Sequence, residues 1–252
     1  MRNQFVIGLL SIASVACSTK QAETVTAGQT NVNVAGFNAD QSDPAAIELA
    51  DSVNKATGVN KTFRTIQCFA WRNNEARLFW NKQDSLMRIE FDADSGIAIL
   101  NLKTKTGRYS SKGKEITDNA KSKQKIEELI LYGKYETTLL TLPFLLKTTG
   151  TTLTYMVQEN VKGYGSCNVI MRTDSVGQKL VPVSYKMYID KKENLVRLIK
   201  VINQQNTTEK VFTVNEYATI GSLKIWSNNK AGNGPWQTTA YLSLPDYTFK
   251  EL

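Results

Sequence analysis

A chain of 252 residues, 41% of them hydrophobic, is long enough to bury a sizeable core in one large domain. It contains no histidine, which removes Ser-His-Asp and Cys-His pairs, histidine zinc sites and the commonest neutral-pH base. The formal charge of +8 is concentrated, because residues 103–125 hold eight Lys or Arg against Glu115 and Asp118; such a patch suits an anionic surface such as lipid headgroups, or is simply a solvated hairpin and helix face.

The chain opens with Arg2, and Phe5 to Ala16 is apolar apart from Ser11 and Ser14. Twelve residues rise about 18 Å as a helix, short of a hydrocarbon core of roughly 30 Å. Residues 1–16 are therefore expected to be a secretory signal peptide. Ser14-Val15-Ala16-Cys17 resembles the bacterial lipobox, with Ser14 where Leu is usual. That resemblance implies that Cys17 becomes the lipid-carrying first residue of the mature protein. The alternative is an ordinary signal peptide cut near Ala16, with Cys17 a bystander. No later stretch approaches 18 apolar residues, so the expected anchor is lipid rather than a spanning helix. Ser18 stands where enteric bacteria place an aspartate for inner-membrane retention. The expected location is thus the outer membrane, facing the periplasm, or the cell surface. An exported chain without a nucleic-acid motif is not expected to bind nucleic acid.

Residues 17–43 contain no Leu or Ile and one aromatic, the composition of a flexible lipidated tether with a reach of about 28 Å. The folded domain is expected over residues 44–252. Asp43 can cap a helix and Pro44 suits its first position. Ile47, Ala50 and Val53 then recur at helical spacing, and Gly58 ends the helix.

From Lys61 the pattern becomes that of strands. Thr62–Trp71 and Ala76–Trp80 flank a turn at Asn73-Asn74, and Leu86–Asp92 and Gly96–Leu102 flank Asp94-Ser95-Gly96. Val181, Val183, Tyr185, Met187 and Ile189 alternate with polar residues, the mark of a strand with one buried face. Leu195–Ile202, Lys210–Ala218, Gln237–Leu244 and Tyr247–Phe249 follow. About ten or eleven strands joined neighbour to neighbour predict a mainly β fold built on an antiparallel sheet. The interruption at 115–148 contains a second helix around Ile126, Leu129 and Ile130. It ends in Leu139–Leu146, which Pro143 must kink or terminate. This run has one polar residue, so it is expected in the sheet's hollow or against a ligand.

No CxxC, Walker A or GxGxxG stands in a suitable setting. Glu90 and Asp92 share a strand face, as a glycosidase pair would, though the polar outer face of a strand explains them better. Asp92, Asp94 and Gly96 hint at a calcium loop without its closing Glu, and a hairpin turn accounts for them better. Cys68 and Cys167 fall in separate strand-like runs, so two buried thiols are expected rather than a bridge worth up to about 4–5 kcal/mol. No catalytic residue, metal or cofactor is expected. The aromatics Trp71, Phe79, Trp80, Trp226 and Trp236 are core, the lining of an apolar cavity, or platforms for sugar rings.

Leu78-Phe79-Trp80-Asn81-Lys82-Gln83-Asp84-Ser85-Leu86, Leu142-Pro143-Phe144-Leu145-Leu146, and Tyr188-Ile189-Asp190 leading into Leu195-Val196-Arg197 resemble the LolA/LolB class of periplasmic lipoprotein carriers and receptors. They also resemble lipoproteins of Bacteroidetes-type bacteria that share that sheet. The resemblance covers residues 44–252. It implies an incomplete β-barrel, a large curved antiparallel sheet of about eleven strands with a helical lid near 119–132 and 136–148, whose hollow holds acyl chains in the carriers. Gln83-Asp84 stands where the carriers have an Arg-Pro whose Arg latches the lid, and a lipid anchor is a receptor's feature rather than a carrier's. The expected ligand-binding residues are Trp71, Phe79, Trp80, Ile89, Leu139, Leu142, Phe144 and Leu145. The expected function is non-enzymatic binding of a lipid or other hydrophobic ligand by an anchored monomer, in envelope lipoprotein or lipid trafficking. The alternatives are an envelope scaffold or assembly partner, a polysaccharide binder, and a carboxylate-dependent hydrolase.

Overall fold

The computed structural model describes residues 34–117, 119–174, 183–203, 208–228 and 234–252. The signal peptide, Cys17, tether residues 17–33 and Val181 lie outside the described residues.

The final residues of the expected tether are docked. Asn38 N–H donates to Thr151 O (3.1 Å) and Asp43 N–H to Leu153 O (2.9 Å), while Ser42 Oγ accepts from Leu153 N (3.0 Å). Helix α1 (Pro44–Thr57) follows and buries Ala46, Leu49, Ala50 and Val53. Asp43 precedes it as expected, but its carboxylate accepts from Tyr155 N–H at 2.8 Å instead of capping the helix. Gly58 ends α1 in the left-handed region at φ 64°, and a Cβ there would sit 1.9 Å from Ser222 O. Only glycine fits both conditions. The chain then forms a second short helix, α2 (Val59–Thr65), so Thr62–Thr65 is helical where a strand was expected.

Seven strands then meander: β1 (Cys68–Arg72), β2 (Ala76–Asn81), β3 (Leu86–Phe91), β4 (Ile97–Asn101), β5 (Thr106–Ser111) and β6 (Lys114–Glu115), with the late β14 (Trp236–Tyr241) pairing outside β1. After the long helix α3 (Asn119–Thr141), a second antiparallel sheet runs β7 (Thr151–Val161), β8 (Gly165–Asp174), β9 (Val183–Asp190), β10 (Val196–Asn203) and β11 (Glu209–Thr213). The docked segment 38–43 covers the β7 edge of this sheet, which protects otherwise unpaired backbone groups. A separate hairpin, β12 (Tyr217–Ile220) and β13 (Leu223–Trp226), splits the expected strand at 210–218 in two. Residues 246–249 form a 3₁₀ turn instead of a last strand. The described residues thus hold fourteen strands, twelve in large antiparallel sheets of seven and five and two in the separate hairpin, with no closed barrel. This is the mainly β, incomplete-barrel architecture with helical cover that the sequence implied.

The expected pair of lid helices is one helix. Pro143 disfavours helical geometry at Leu142, and the last helical residue is Thr141. The run 139–146 then alternates between two cores. Leu140 and Phe144 pack with Phe69, Trp71, Leu78, Met87, Ile89 and Leu100 of the seven-stranded sheet. Leu139, Leu142 and Leu146 pack with α1 and with Leu153, Ile170, Met187 and Ile199 of the five-stranded sheet. Hairpin β12–β13 does the same, giving Leu223 and Ile225 to the first core and Trp226 to the second. β9 is buried on both faces rather than one, since Tyr188 packs with Val161, Cys167 and Val169 on the far side. Among the described residues no helix is long and apolar enough to cross a membrane.

Candidate binding cavity

The first hairpin decides where the aromatic residues point. Strand neighbours face opposite sides. Phe69 pairs with Trp80, and Trp71 with Leu78, which pairs in turn with Ile89. These side chains face α3. Phe79 pairs with Ala70 and Arg88 and faces the opposite side, where the Arg77 guanidinium stacks 4.7 Å from its ring centre. Of the eight expected ligand-binding residues, Trp71, Ile89, Leu142 and Phe144 are fully buried in the two cores. Trp80 lies against Phe69 at 5.9 Å between ring centres, and Leu145 packs on the first core half-buried. The inner face of the seven-stranded sheet is packed solid where α3 crosses it. At Gly133 the helix comes so close that a Cβ would lie 2.6 Å from Met87 Sδ.

Space opens at the end of that contact. A cavity of about 480 Å³ is bounded by Asn73, Asn74 and Glu75 of the β1–β2 turn and by Tyr132, Tyr135, Glu136 and Leu139 of α3. Lys210, Val211 and Phe212 of β11, with Gly234, complete it. Leu139 alone of the expected ligand-binding residues lines it. The helix supplies the floor because Tyr132, Glu136 and Leu139 recur every three to four residues along one stripe. Asn73 fixes the turn: its Oδ1 accepts from the N–H groups of Glu75 (2.9 Å) and Ala76 (2.8 Å), and its Nδ2 donates to Tyr132 Oη at 2.6 Å. Lys210 Nζ stands 5.9 Å from the centre of the Tyr135 ring.

Glu136 is the residue that sequence reasoning missed. It is 5% exposed, and its Oε2 closes no hydrogen bond. Burial pushes its carboxyl above the ordinary 4.5; the nearby Asn73 and Trp71 donors and the Lys210 charge pull the other way, and Glu75 adds to the rise. Trp71 Nε1 nevertheless makes no hydrogen bond of acceptable geometry, nor does Tyr135 Oη. Burial and the Glu136 charge together push the Tyr132 and Tyr135 hydroxyls up.

The other candidate groups are accounted for locally. Glu90 pairs with Arg88 at 2.6 Å and Asp92 with Arg72 at 2.7 Å, so each carboxylate of the expected pair is held by its own arginine. Asp94 closes the hairpin turn, accepting from Gly96 N–H, Tyr109 Oη and Ser111 Oγ at 3.0 Å each. Those bonds, the Ser111 one foremost, hold it below the usual carboxylate range. Cys68 and Cys167 are free and buried in different sheets, and burial pushes both thiols up. Among the described residues no cluster of acidic or thiol side chains could hold a metal ion.

The sequence matches no protein-family model, and comparison with curated proteins gives no match. Two solved structures are distantly similar. A DUF1329 family protein from Desulfovibrio piger is 12% identical over 82% of this chain and 97% of its own, with a TM-score of 0.44. MucB is 10% identical over 77% of this chain and 65% of its own, with a TM-score of 0.27.

Proposed function

We propose that this is a non-catalytic, lipid-anchored envelope protein that binds a small amphiphile in the cavity beside α3. Cys17 would carry the anchor and hold the domain on the outer membrane, facing the periplasm, where such a ligand is handled in lipid or lipoprotein trafficking. The observation that carries the reading is the cavity itself. Its volume of about 480 Å³ falls within the roughly 300–1,000 Å³ of small-molecule sites. Leu139, Val211 and Phe212 supply apolar wall, and Asn73, Asn74, Glu75, Tyr132, Tyr135, Glu136 and Lys210 supply polar groups around it. The packed inner sheet supports a binding place at this end of the helix rather than in the region expected for an acyl chain, and a ligand with a short apolar part.

Native mass spectrometry of the full chain with Cys17→Ser, exported without lipid, should show a bound amphiphile that extraction releases. Leu139→Trp should fill the cavity and abolish both that species and the binding of a fluorescent short-chain lipid. A protein that carries nothing and ignores such lipids would overturn the reading. The anchor has its own test: the mature wild-type chain should begin at Cys17 with a diacylglyceryl mass increment, and Cys17→Ala should leave it free in the periplasm.

A further inference from the structure

The polar end of the cavity has more to say about its ligand, provided that the cavity is the binding place. Glu136 Oε2, Tyr135 Oη and Trp71 Nε1 are buried side-chain atoms that close no hydrogen bond within the protein. Buried polar groups are almost always paired, and these three meet where α3 passes the β1–β2 turn. In the turn, Asn73 Oδ1 is already taken by the N–H groups of Glu75 and Ala76, and one Nδ2–H by Tyr132.

We propose that the cavity selects an uncharged, hydroxyl- or amide-bearing head group, such as the glycerol of a short-chain ester, over anionic and cationic amphiphiles, with Glu136 and Tyr135, which both line it, as its hydrogen-bond partners. The partner set requires donor and acceptor in the same head group. Tyr135 Oη both donates and accepts, and Glu136 Oε2 accepts. An anion would meet Glu136 at the floor and Glu75 at the rim, with Lys210 as the one cation among the described lining residues. An ammonium carries no acceptor for the Tyr135 hydroxyl, and it would face Lys210, whose charge already lies over the Tyr135 ring. A neutral polyol meets none of these penalties, and its ester tail can lie on Leu139 and Phe212.

Three ligands with the same ten-carbon chain separate the cases: 1-decanoylglycerol, decanoate and decylamine, titrated calorimetrically into the full chain with Cys17→Ser at about pH 7.5. The glycerol ester should bind at least about tenfold more tightly than either ion. Glu136→Gln keeps an acceptor at that place and should hold ester affinity within about threefold, whereas Glu136→Leu should lower it by about tenfold or more. Tyr135→Phe, which keeps the packing, should lower it by about threefold or more even if the Leu variant does not fold. Decanoate or decylamine binding as tightly as the ester would overturn the proposal, as would unchanged ester affinity in a folded Glu136→Leu or in Tyr135→Phe. If none of the three binds, the cavity itself is not the binding place, and the reading above fails with this one.

Discussion

Glu136 carries a stability signature that does not depend on any ligand. Burial raises its pKa in the folded state above the ordinary 4.5, so the folded chain holds this proton more tightly than the unfolded chain does. Its contribution to stability is complete below about pH 4.5 and is lost as pH rises through the folded value. Above that, the interior holds a carboxylate with an unpaired oxygen. Glu136→Gln should therefore match the wild type near pH 4 and exceed it near neutral pH by about 1–3 kcal/mol, the cost of leaving such a group unsatisfied. Urea unfolding at both pH values measures the difference; an equal gap at the two would show that the carboxyl is not raised. The position was legible in principle, since Glu136 falls on the stripe that includes Leu129, Tyr132 and Leu139, where a charged residue is out of place. The thiols were read correctly, because Cys68 and Cys167 sit in runs that never become neighbours.

At the scale of elements, periodicity located most strands of both sheets, and the turn residues Asn73, Asp94 and Asp190 all stand where chemistry placed them. The errors have particular causes. Trp71, Phe79 and Trp80 were grouped because they are aromatic, yet the two-residue period of a strand sends Phe79 to the opposite face from Trp80. Thr62–Thr65 has β-branched composition, but α1 ends at Gly58 and the chain turns into α2 over Ser222, a tertiary contact that local propensity does not encode. The resemblance implied two lid helices near 119–132 and 136–148, where the structure has one helix that runs through Gly133 to Thr141. Gly133 permits the closest approach of helix and sheet. A side chain there would meet Met87, which is fully buried and has little room to yield. Gly133→Val should destabilise the protein by about 1–3 kcal/mol through overpacking, despite valine's better helix propensity. Gly133→Ala should cost less, since about 1 kcal/mol of propensity is recovered. Chemical denaturation of both variants would check the order; a Gly133→Val protein as stable as the wild type would mean that the helix does not rest on the sheet here.

For the molecule as a whole, the question is what holds two sheets, three helices and a leading segment in one register. Composition made residues 34–43 part of a tether because they lack Leu and Ile, but they dock through backbone hydrogen bonds to β7, which composition cannot reveal. The segment after α3 is fixed in a similar way. Arg172 donates to Leu145 O at 2.8 Å and to Thr148 Oγ1 at 3.1 Å while pairing with Asp174 at 2.8 Å. Lys147 forms an ion pair with Asp51 of α1, and the two side chains are 4% and 13% exposed. This pair ties α1, the turn after α3 and the second core together at one point. A buried ion pair contributes little over well-packed apolar residues, but removing one partner leaves the other charged and desolvated. Lys147→Met should therefore cost about 3–5 kcal/mol, and Asp51→Leu a comparable amount. The double variant should recover most of the loss, giving a coupling energy well above the roughly 0.5 kcal/mol seen between independent sites. Urea unfolding of the wild type, the two single variants and the double variant supplies that cycle. Additive losses would mean that Lys147 and Asp51 act separately, and that apolar packing of Leu142, Phe144 and Leu146 holds the two cores in register without the ion pair.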